Sequence, residues 1–276
     1  MIKDICVHLD GNVEDEARLA IAEQIAEHFD AFLAGVLVNP LPAIRAMGGF
    51  GYNGLGLDEL QHSARARGDE AMRHLRTRFD ALPMRHELRR HDVEDARCSE
   101  IFVQEARLFD LFVGTRPYGH EDNLADVIEA VLFRSGRASL LVPPGAIKSF
   151  DPDTIVVAWS NTRESARAVS EAMPFLVRAK AVSVCMVGNE DKGGIERAAQ
   201  GSDIARHLDR HGVKVQLNPV PHGKGVSDTL LEEATLAGAG LLVMGAYGHS
   251  RFREWMLGGA TRGVLTRATL PVLIAH

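Results

Sequence analysis

The sequence predicts an α/β protein made of two doubly wound, five-stranded parallel-sheet domains of Rossmann-like type, packed as a pseudo-dimer. Apolar segments alternate with helical patterns along the chain, and the order starts again halfway. Residues 5–10 and 155–160 are apolar segments that each end in a polar residue and lead into an Ala-rich helical pattern. Strands that are apolar along their length are typical of parallel sheets covered by helices on both faces.

The order of elements is the same in the two halves. The first half has predicted strands at 5–10, 32–38, 84–90, 111–114 and 139–142, and helices at 17–25, 58–80 and 96–109. The second half has predicted strands at 155–160, 181–187, 213–220, 241–244 and 271–274, and helices at 166–176, 195–211, 227–237 and 260–267. A stretch marked by proline and glycine, from Pro143 to Pro152, separates them. We therefore predict domains at residues 1–145 and 151–276.

Local signals predict the ends of two helices in the second half. Thr162 or Ser165 is the predicted N-cap of the first helix, because a hydroxyl there can accept a hydrogen bond from a free backbone N–H. Pro174 is expected to bend this helix or end it early, because proline has no N–H to donate. Gly238 is the predicted stop of the third helix.

Composition excludes several classes of function. The net charge of −6, with 25% charged residues, argues against a nucleic-acid partner, which requires clustered Lys and Arg. No apolar run approaches the ~20 residues that span a membrane. Three cysteines without a CxxC pair fit a reducing compartment, so we predict a cytoplasmic protein. The 12 histidines show no zinc-like spacing, and no metal site is predicted.

A glycine-rich stretch, GAYGHSRFREWMLGGATRGVL, follows the fourth strand of the second half. Backbone N–H groups at glycines and at a helix N-terminus can bind phosphate. The same glycines can also serve only to turn the chain from a strand into a helix, and both interpretations stay open. The stretch has no Gly-Lys-Ser/Thr and no GxGxxG, so neither a P-loop nor a standard dinucleotide fingerprint is present.

The spacing Gly245-x2-Gly248-x9-Gly258, followed by a short helix and a PVLI strand, resembles the nucleotide loop of universal stress proteins. The whole chain resembles a tandem UspA-type protein, whose domains have the adenine nucleotide alpha hydrolase-like fold. This resemblance implies that the second half binds ATP or another adenine nucleotide, with Mg²⁺ as the accompanying ion. It implies no catalytic residue.

The resemblance also implies which residues bind the nucleotide. The aspartate that the family places near the ribose, at the end of the first strand, is Asp10 in the first half and Ser160 in the second. The first half has no Gly-x9-Gly pair, and Asp126 stands about where Gly259 would lie, so that its carboxylate beside a helix N-terminus would repel a phosphate; at most one site is expected, in the second half. Its predicted residues are Ser160, Val187, Gly245, Gly248, Gly258, Gly259 and Thr261.

The resemblance implies a stress-response or signalling module. Because the fifth strands end each unit, they are natural edges for pairing between domains or chains, and we expect a homodimer and a protein partner. Two alternatives stay open. One is an interaction scaffold that binds no nucleotide, and the other is a slow ATP hydrolase in which His249 is the candidate base. The segment Met47–Gly56 is interpreted as a flexible flap near the first-half cleft.

Overall fold

A computed structural model describes residues 1–43, 55–118, 125–145, 149–188, 194–221, 225–246 and 259–276. Several predicted features lie outside these residues: Gly248, His249, Gly258 and most of the segment Met47–Gly56.

The described elements follow the predicted alternation of strands and helices. The strands are β1 (Asp4–Leu9), β2 (Phe32–Leu41), β3 (His86–Glu94), β4 (Leu111–Thr115), β5 (Ala138–Val142), β6 (Thr154–Ala158), β7 (Ala181–Gly188), β8 (Val215–Pro221), β9 (Leu241–Gly245) and β10 (Val272–Ala275). The helices are α1 (Glu14–Phe29), α2 (Leu55–Asp80), α3 (Cys98–Ala106), α4 (Ala125–Arg134), α5 (Arg163–Leu176), α6 (Gly194–Arg210), α7 (Val226–Leu236) and α8 (Ala260–Arg267).

The strands form one ten-stranded sheet in the order β3-β2-β1-β4-β5-β10-β9-β6-β7-β8. Each half has the doubly wound order 3-2-1-4-5 with parallel neighbours, so the α/β prediction is confirmed. The fifth strands β5 and β10 pair antiparallel, with Leu140 opposite Leu273. The predicted edges therefore join the two halves within the chain. Because β5 and β10 are antiparallel, the strands of the two halves run in opposite directions. The carboxyl ends of the strands, where ligands would bind, therefore lie on opposite sides of the molecule in the two halves.

Helices cover both faces of the sheet, as the apolar strands predicted. Successive residues of a strand point to opposite faces, and Phe112 and Val113 accordingly belong to two separate buried clusters. On one face the core crosses between the halves, where the rings of Phe29 and Phe175 meet edge to face with centroids 5.1 Å apart. The halves thus share a core in addition to the paired strands.

The predicted N-cap of α5 and the predicted stop of α7 are found, whereas Pro174 does not end α5 early, because the helix continues to Leu176. Thr162 is the N-cap of α5, and its Oγ1 accepts from the N–H of Ser165 at 3.3 Å. Pro174 lies in the last turn of α5, and Gly238 follows α7 with φ of +61°. The predicted helix at 96–109 is instead a 3₁₀ turn followed by α3, and the third strand starts two residues later than predicted. No helix in the described ranges is long and apolar enough to cross a membrane.

Candidate functional site

A cavity of about 220 Å³ lies where β6 and β9 end, at the point where the strand order of the second half reverses. Ligands of doubly wound sheets bind at this point, beyond the carboxyl ends of the strands. The cavity is lined by Ala158, Trp159, Ser160, Thr162, Glu164, Ser165, Cys185, Val187, Val226, Leu230, Met244, Gly245, Ala260 and Thr261.

Four of the seven predicted binding residues share this cavity: Ser160, Val187, Gly245 and Thr261. Gly259 lies next to it as the N-cap of α8, and is not among the lining residues. Gly248 and Gly258 belong to the part of the chain that the structure does not describe. Strand order explains the grouping, because β6, β7 and β9 are adjacent and end at the same edge of the sheet.

Hydroxyl groups line the floor of the cavity, between the end of β6 and the start of α5. Ser160 Oγ lies 3.0 Å from Ser165 Oγ, and the backbone N–H of Ser160 donates to the same oxygen at 3.4 Å. The side chain of Thr162 completes the cluster by donating to Ser165 Oγ at 3.4 Å. These groups offer donors and acceptors to a sugar or another polyol.

The backbone of Val187 faces the cavity side of β7. The carbonyl of Cys185 accepts from the N–H of Trp159, so the polar backbone groups of Cys185 point toward β6. Alternate residues of a strand point the same way, and those of Val187 therefore do too. The pairing between β6 and β7 ends at Ala158 and Cys185. Val187 thus lies beyond the end of β6, with its N–H and C=O directed toward the open space.

Gly245 has a packing reason to be glycine. A Cβ at this position would lie 2.6 Å from the backbone N of Ser165 and 2.6 Å from the backbone C of Glu164. The end of β9 therefore packs directly against the first turn of α5. This close approach supports the chain-turning interpretation for this glycine, whether or not it also faces a ligand.

A single carboxyl group lines the described part of the cavity, that of Glu164. Burial alone would raise the pKa of this carboxyl. Its own backbone N–H and the guanidinium of Arg163, 3.0 Å away, outweigh burial and lower the pKa. Glu164 is therefore ionised at neutral pH. Its charge disfavours an anion near the start of α5.

An apolar wall closes the other side of the cavity. It consists of Cys185, Val226, Leu230 and Met244. Burial, with the charge of Glu233 as a second cause, raises the pKa of the Cys185 thiol to about 12, so the thiol is a neutral part of this wall. No residue of α7 was predicted to bind a ligand, and the folded structure brings Val226 and Leu230 of this helix to the cavity.

The equivalent position in the first half is filled by its own side chains. The guanidinium of Arg18, on α1, is fully buried at the ends of β1 and β4. It donates to Asp10 at 2.8 Å, to Thr115 at 2.9 Å and to Asp15. The ring Nδ1 of His8 lies 3.3 Å from the same guanidinium. We call these five residues the Arg18 cluster.

Burial and the neighbouring guanidinium determine the protonation of the Arg18 cluster. Burial, together with the positive charge of Arg18, lowers the pKa of His8 to about 3. The imidazole is therefore neutral at pH 7 and accepts from Arg18. Burial would raise the pKa of Asp10, but the charge of Arg18 outweighs it and lowers that pKa. The predicted ribose aspartate of the first half is thus engaged by a cation of its own domain.

Comparison with known proteins identifies a family domain in the second half and the fold of the whole chain. The profile of the universal stress protein family matches residues 151–276. A universal stress protein from Archaeoglobus fulgidus DSM 4304 is 15% identical, with a TM-score of 0.75 over 99% of this chain and 95% of that one. A functionally unknown protein from Pseudomonas aeruginosa PAO1 is also 15% identical, with a TM-score of 0.60 over 99% of this chain and 92% of that one.

A universal stress protein in complex with cAMP is 25% identical over 45% of this chain and 95% of that one, with a TM-score of 0.38. No curated protein shows significant sequence similarity to the chain. The profile match and the full-length structural similarity agree with each other. The chain therefore carries a universal stress protein domain at residues 151–276, and over its full length it has the fold of solved universal stress proteins.

Proposed function

We propose that the second half binds an adenine nucleotide in the 220 Å³ cavity and that the protein is a stress-response module whose contacts with a partner depend on this nucleotide. One observation carries the proposal: a cavity at the switch point brings together an apolar wall, free backbone groups, hydroxyls and a helix N-terminus. These are the groups that a purine, a ribose and a phosphate need.

Each part of the nucleotide has a matching part of the cavity. The adenine would lie against Val226 and Leu230, with its polar edge toward the backbone of Val187, which offers one donor and one acceptor. The ribose hydroxyls would meet Ser160. The phosphates would lie at the N-terminus of α8, where Gly259 and Thr261 begin the helix and its dipole favours negative charge.

The charge of Glu164 supports this orientation. Two helix N-termini, those of α5 and α8, meet the cavity, and each could attract a phosphate. Glu164 lies in the first turn of α5, whereas α8 has no acidic residue in its first turn. The phosphates are therefore directed to α8 and the sugar to α5.

The same carboxylate favours the second candidate, a scaffold that binds no nucleotide. Arg163 pairs with Glu164 at 3.0 Å from outside the cavity, but the described lining residues include no Lys or Arg that could bind a phosphate. A hydrolase would need a positioned base, and its candidate, His249, lies outside the described residues. Nucleotide binding is proposed ahead of the scaffold because the apolar wall, the hydroxyls and the N-terminus of α8 together match a nucleotide, and phosphate release tests the hydrolase.

The experiment is calorimetric titration of ATP, with and without Mg²⁺, into the full chain and two variants. Val226→Trp places an indole in the cavity from α7, and we expect it to abolish binding. Leu236→Trp puts the same ring at the exposed end of α7, where Leu236 is 75% exposed, and should leave binding unchanged. Loss of binding in the double variant Gly248→Val, Gly258→Val would extend the site to the glycine stretch.

Three results separate the candidates. Micromolar binding to the wild type and to Leu236→Trp, lost in Val226→Trp, supports the proposed site. No heat with any protein, together with a melting temperature that ATP does not shift, supports the scaffold. Phosphate release that falls in a His249→Ala variant supports the hydrolase.

A further inference from the structure

A side chain of the first half binds the last turn of α8, a helix of the second half. Arg116 follows β4, and its Nη1 donates to the carbonyl of Leu265 at 3.1 Å and also to those of Thr266 and Tyr118. The last carbonyls of a helix have no partner within it, and a cation there is stabilised by the helix dipole. Arg116 thus caps α8 from the other domain.

A second contact holds α8 from the same loop. The guanidinium of Arg262, in the first turns of α8, lies 4.8 Å from the centre of the Tyr118 ring. The hydroxyl of Tyr118 in turn donates to Glu129 on α4. One short segment of the first half therefore holds α8 at two points and is itself fixed to α4.

The two ends of α8 have different environments. Its N-terminus, with Gly259 and Thr261, borders the second-half cavity, and its C-terminus is held by Arg116. The helix has eight residues and is about 12 Å long. A helix this short is not stable on its own in water, so its position depends on the groups that pack against it.

We propose that Arg116 is a positioning residue for the second-half site: by capping α8, it holds the phosphate-binding end of this helix in place, so that the first half controls the nucleotide affinity of the second. This inference rests on the proposed function. It also gives the first half a role, although its own switch point is filled by the Arg18 cluster.

The test compares two arginines that each cap a helix C-terminus. Arg116→Ala removes the cap of α8. Arg107→Ala removes the cap of α4, since Arg107 donates to the carbonyl of Arg134 at 3.0 Å and does not touch α8. Arg116→Lys retains a donor and should restore part of the effect. ATP affinity and amide hydrogen exchange over residues 260–267 are measured in the full-length proteins.

We expect Arg116→Ala to weaken ATP binding about tenfold, within the usual range of coupling between sites, and to speed exchange in α8. Arg107→Ala should change neither. Equal ATP affinity in Arg116→Ala and the wild type would overturn the inference.

The exchange data separate this inference from the proposed function. If the wild type binds no ATP, the proposed function fails, and faster exchange over residues 260–267 in Arg116→Ala alone would still show that Arg116 positions α8. Unchanged exchange there would overturn the positioning role as well.

Discussion

The switch points of the two halves share a backbone plan but differ in what fills them. In the first half the backbone N–H of Asp10 donates to the Asp15 side chain at 3.1 Å, and in the second that of Ser160 donates to the Ser165 side chain at 3.4 Å. The residue three positions after Asp15 on α1 is Arg18, and the residue three positions after Ser165 on α5 is Ala168. The large cation fills the first switch point, and the small residue leaves the second open.

This comparison shows how a repeated fold can divide its roles. In the first half, the carboxylates of Asp10 and Asp15 and the hydroxyl of Thr115 accept from the guanidinium of Arg18. The guanidinium fills the space at the strand ends and occupies the acceptors that a ligand would otherwise use. In the second half, hydroxyls and backbone groups at the same positions border a cavity. The first half therefore gains a fixed polar core, and the second keeps the groups that a ligand needs.

The largest effect is expected from Arg18→Ala. Removal of this cation leaves the buried Asp15 and the half-buried Asp10 without their partner, and breaking a buried ion pair in this way costs about 3–5 kcal/mol of the free energy of unfolding. Urea denaturation measures the change. Arg206→Ala, which removes an exposed ion pair with Asp203, is the control and should stay within about 0.5 kcal/mol. A similar small change in Arg18→Ala would contradict the structural role of the cluster.

The next effect tests the close packing in the second half. Gly245→Ala places a methyl group 2.6 Å from backbone atoms of α5, and overpacking of this kind costs about 2 kcal/mol. Thermal unfolding followed by circular dichroism measures it. Gly238→Ala is the contrast, because its Cβ would meet no atom within 4 Å and only the positive φ is strained. If Gly245→Ala is neutral, β9 does not pack on α5 as closely as described.

The fold was predictable because the inner strands are apolar along most of their length and the order of elements repeats; the outermost strands β3 and β8 are more polar. The pairing of β5 with β10 was foreseen only as an edge-to-edge contact, and the sequence could not tell pairing within the chain from pairing between chains. The predicted domain boundaries, at residues 145 and 151, stay predictions.

The candidate site was predictable where residues lie at the carboxyl ends of strands, as Ser160 does after β6 and Val187 does in the last two residues of β7. The Arg18 cluster was missed for a physical reason. A charged residue in a helical pattern is normally exposed, and this expectation outweighed the spacing, in which Arg18 stands three and seven residues before the buried Ile21 and Ile25 of α1. Its partner Thr115 is 97 residues away along the chain. Nothing local in the sequence indicates this contact.

Lowering the pH should destabilise the first half through the protonation of His8, a residue with no counterpart of this kind among the described residues that line the second-half cavity. Its pKa in the folded protein is about 3, against 6.5 for the unconstrained side chain. The unfolded chain therefore binds a proton that the folded chain does not, and the stability that the neutral ring contributes is lost as the pH falls below 6.5. His8→Asn, which keeps an acceptor for Arg18, should remove this loss.

The wild type is expected to lose about 2 kcal/mol relative to His8→Asn between pH 6.5 and pH 5. Urea denaturation of both proteins across this range gives the difference. Because Asp10 and Asp15 are present in both, their titration largely cancels. Parallel pH profiles would mean that the fold does not lower the pKa of His8.

The smallest effect concerns the helix that follows the first strand of each half. The N-cap of α5 is Thr162, whose side chain caps the helix, whereas the N-cap of α1 is Val13, whose side chain cannot, and Asn12 accepts from the N–H of Glu14 instead. Thr162→Ala should cost about 1 kcal/mol, the usual value of an N-cap, and Val13→Ala should cost almost nothing because Val13 is 89% exposed. Thermal unfolding measures both variants. Because Thr162 also donates to Ser165 in the cavity floor, its loss should weaken ATP binding as well, which a purely structural cap on a distant helix would not do.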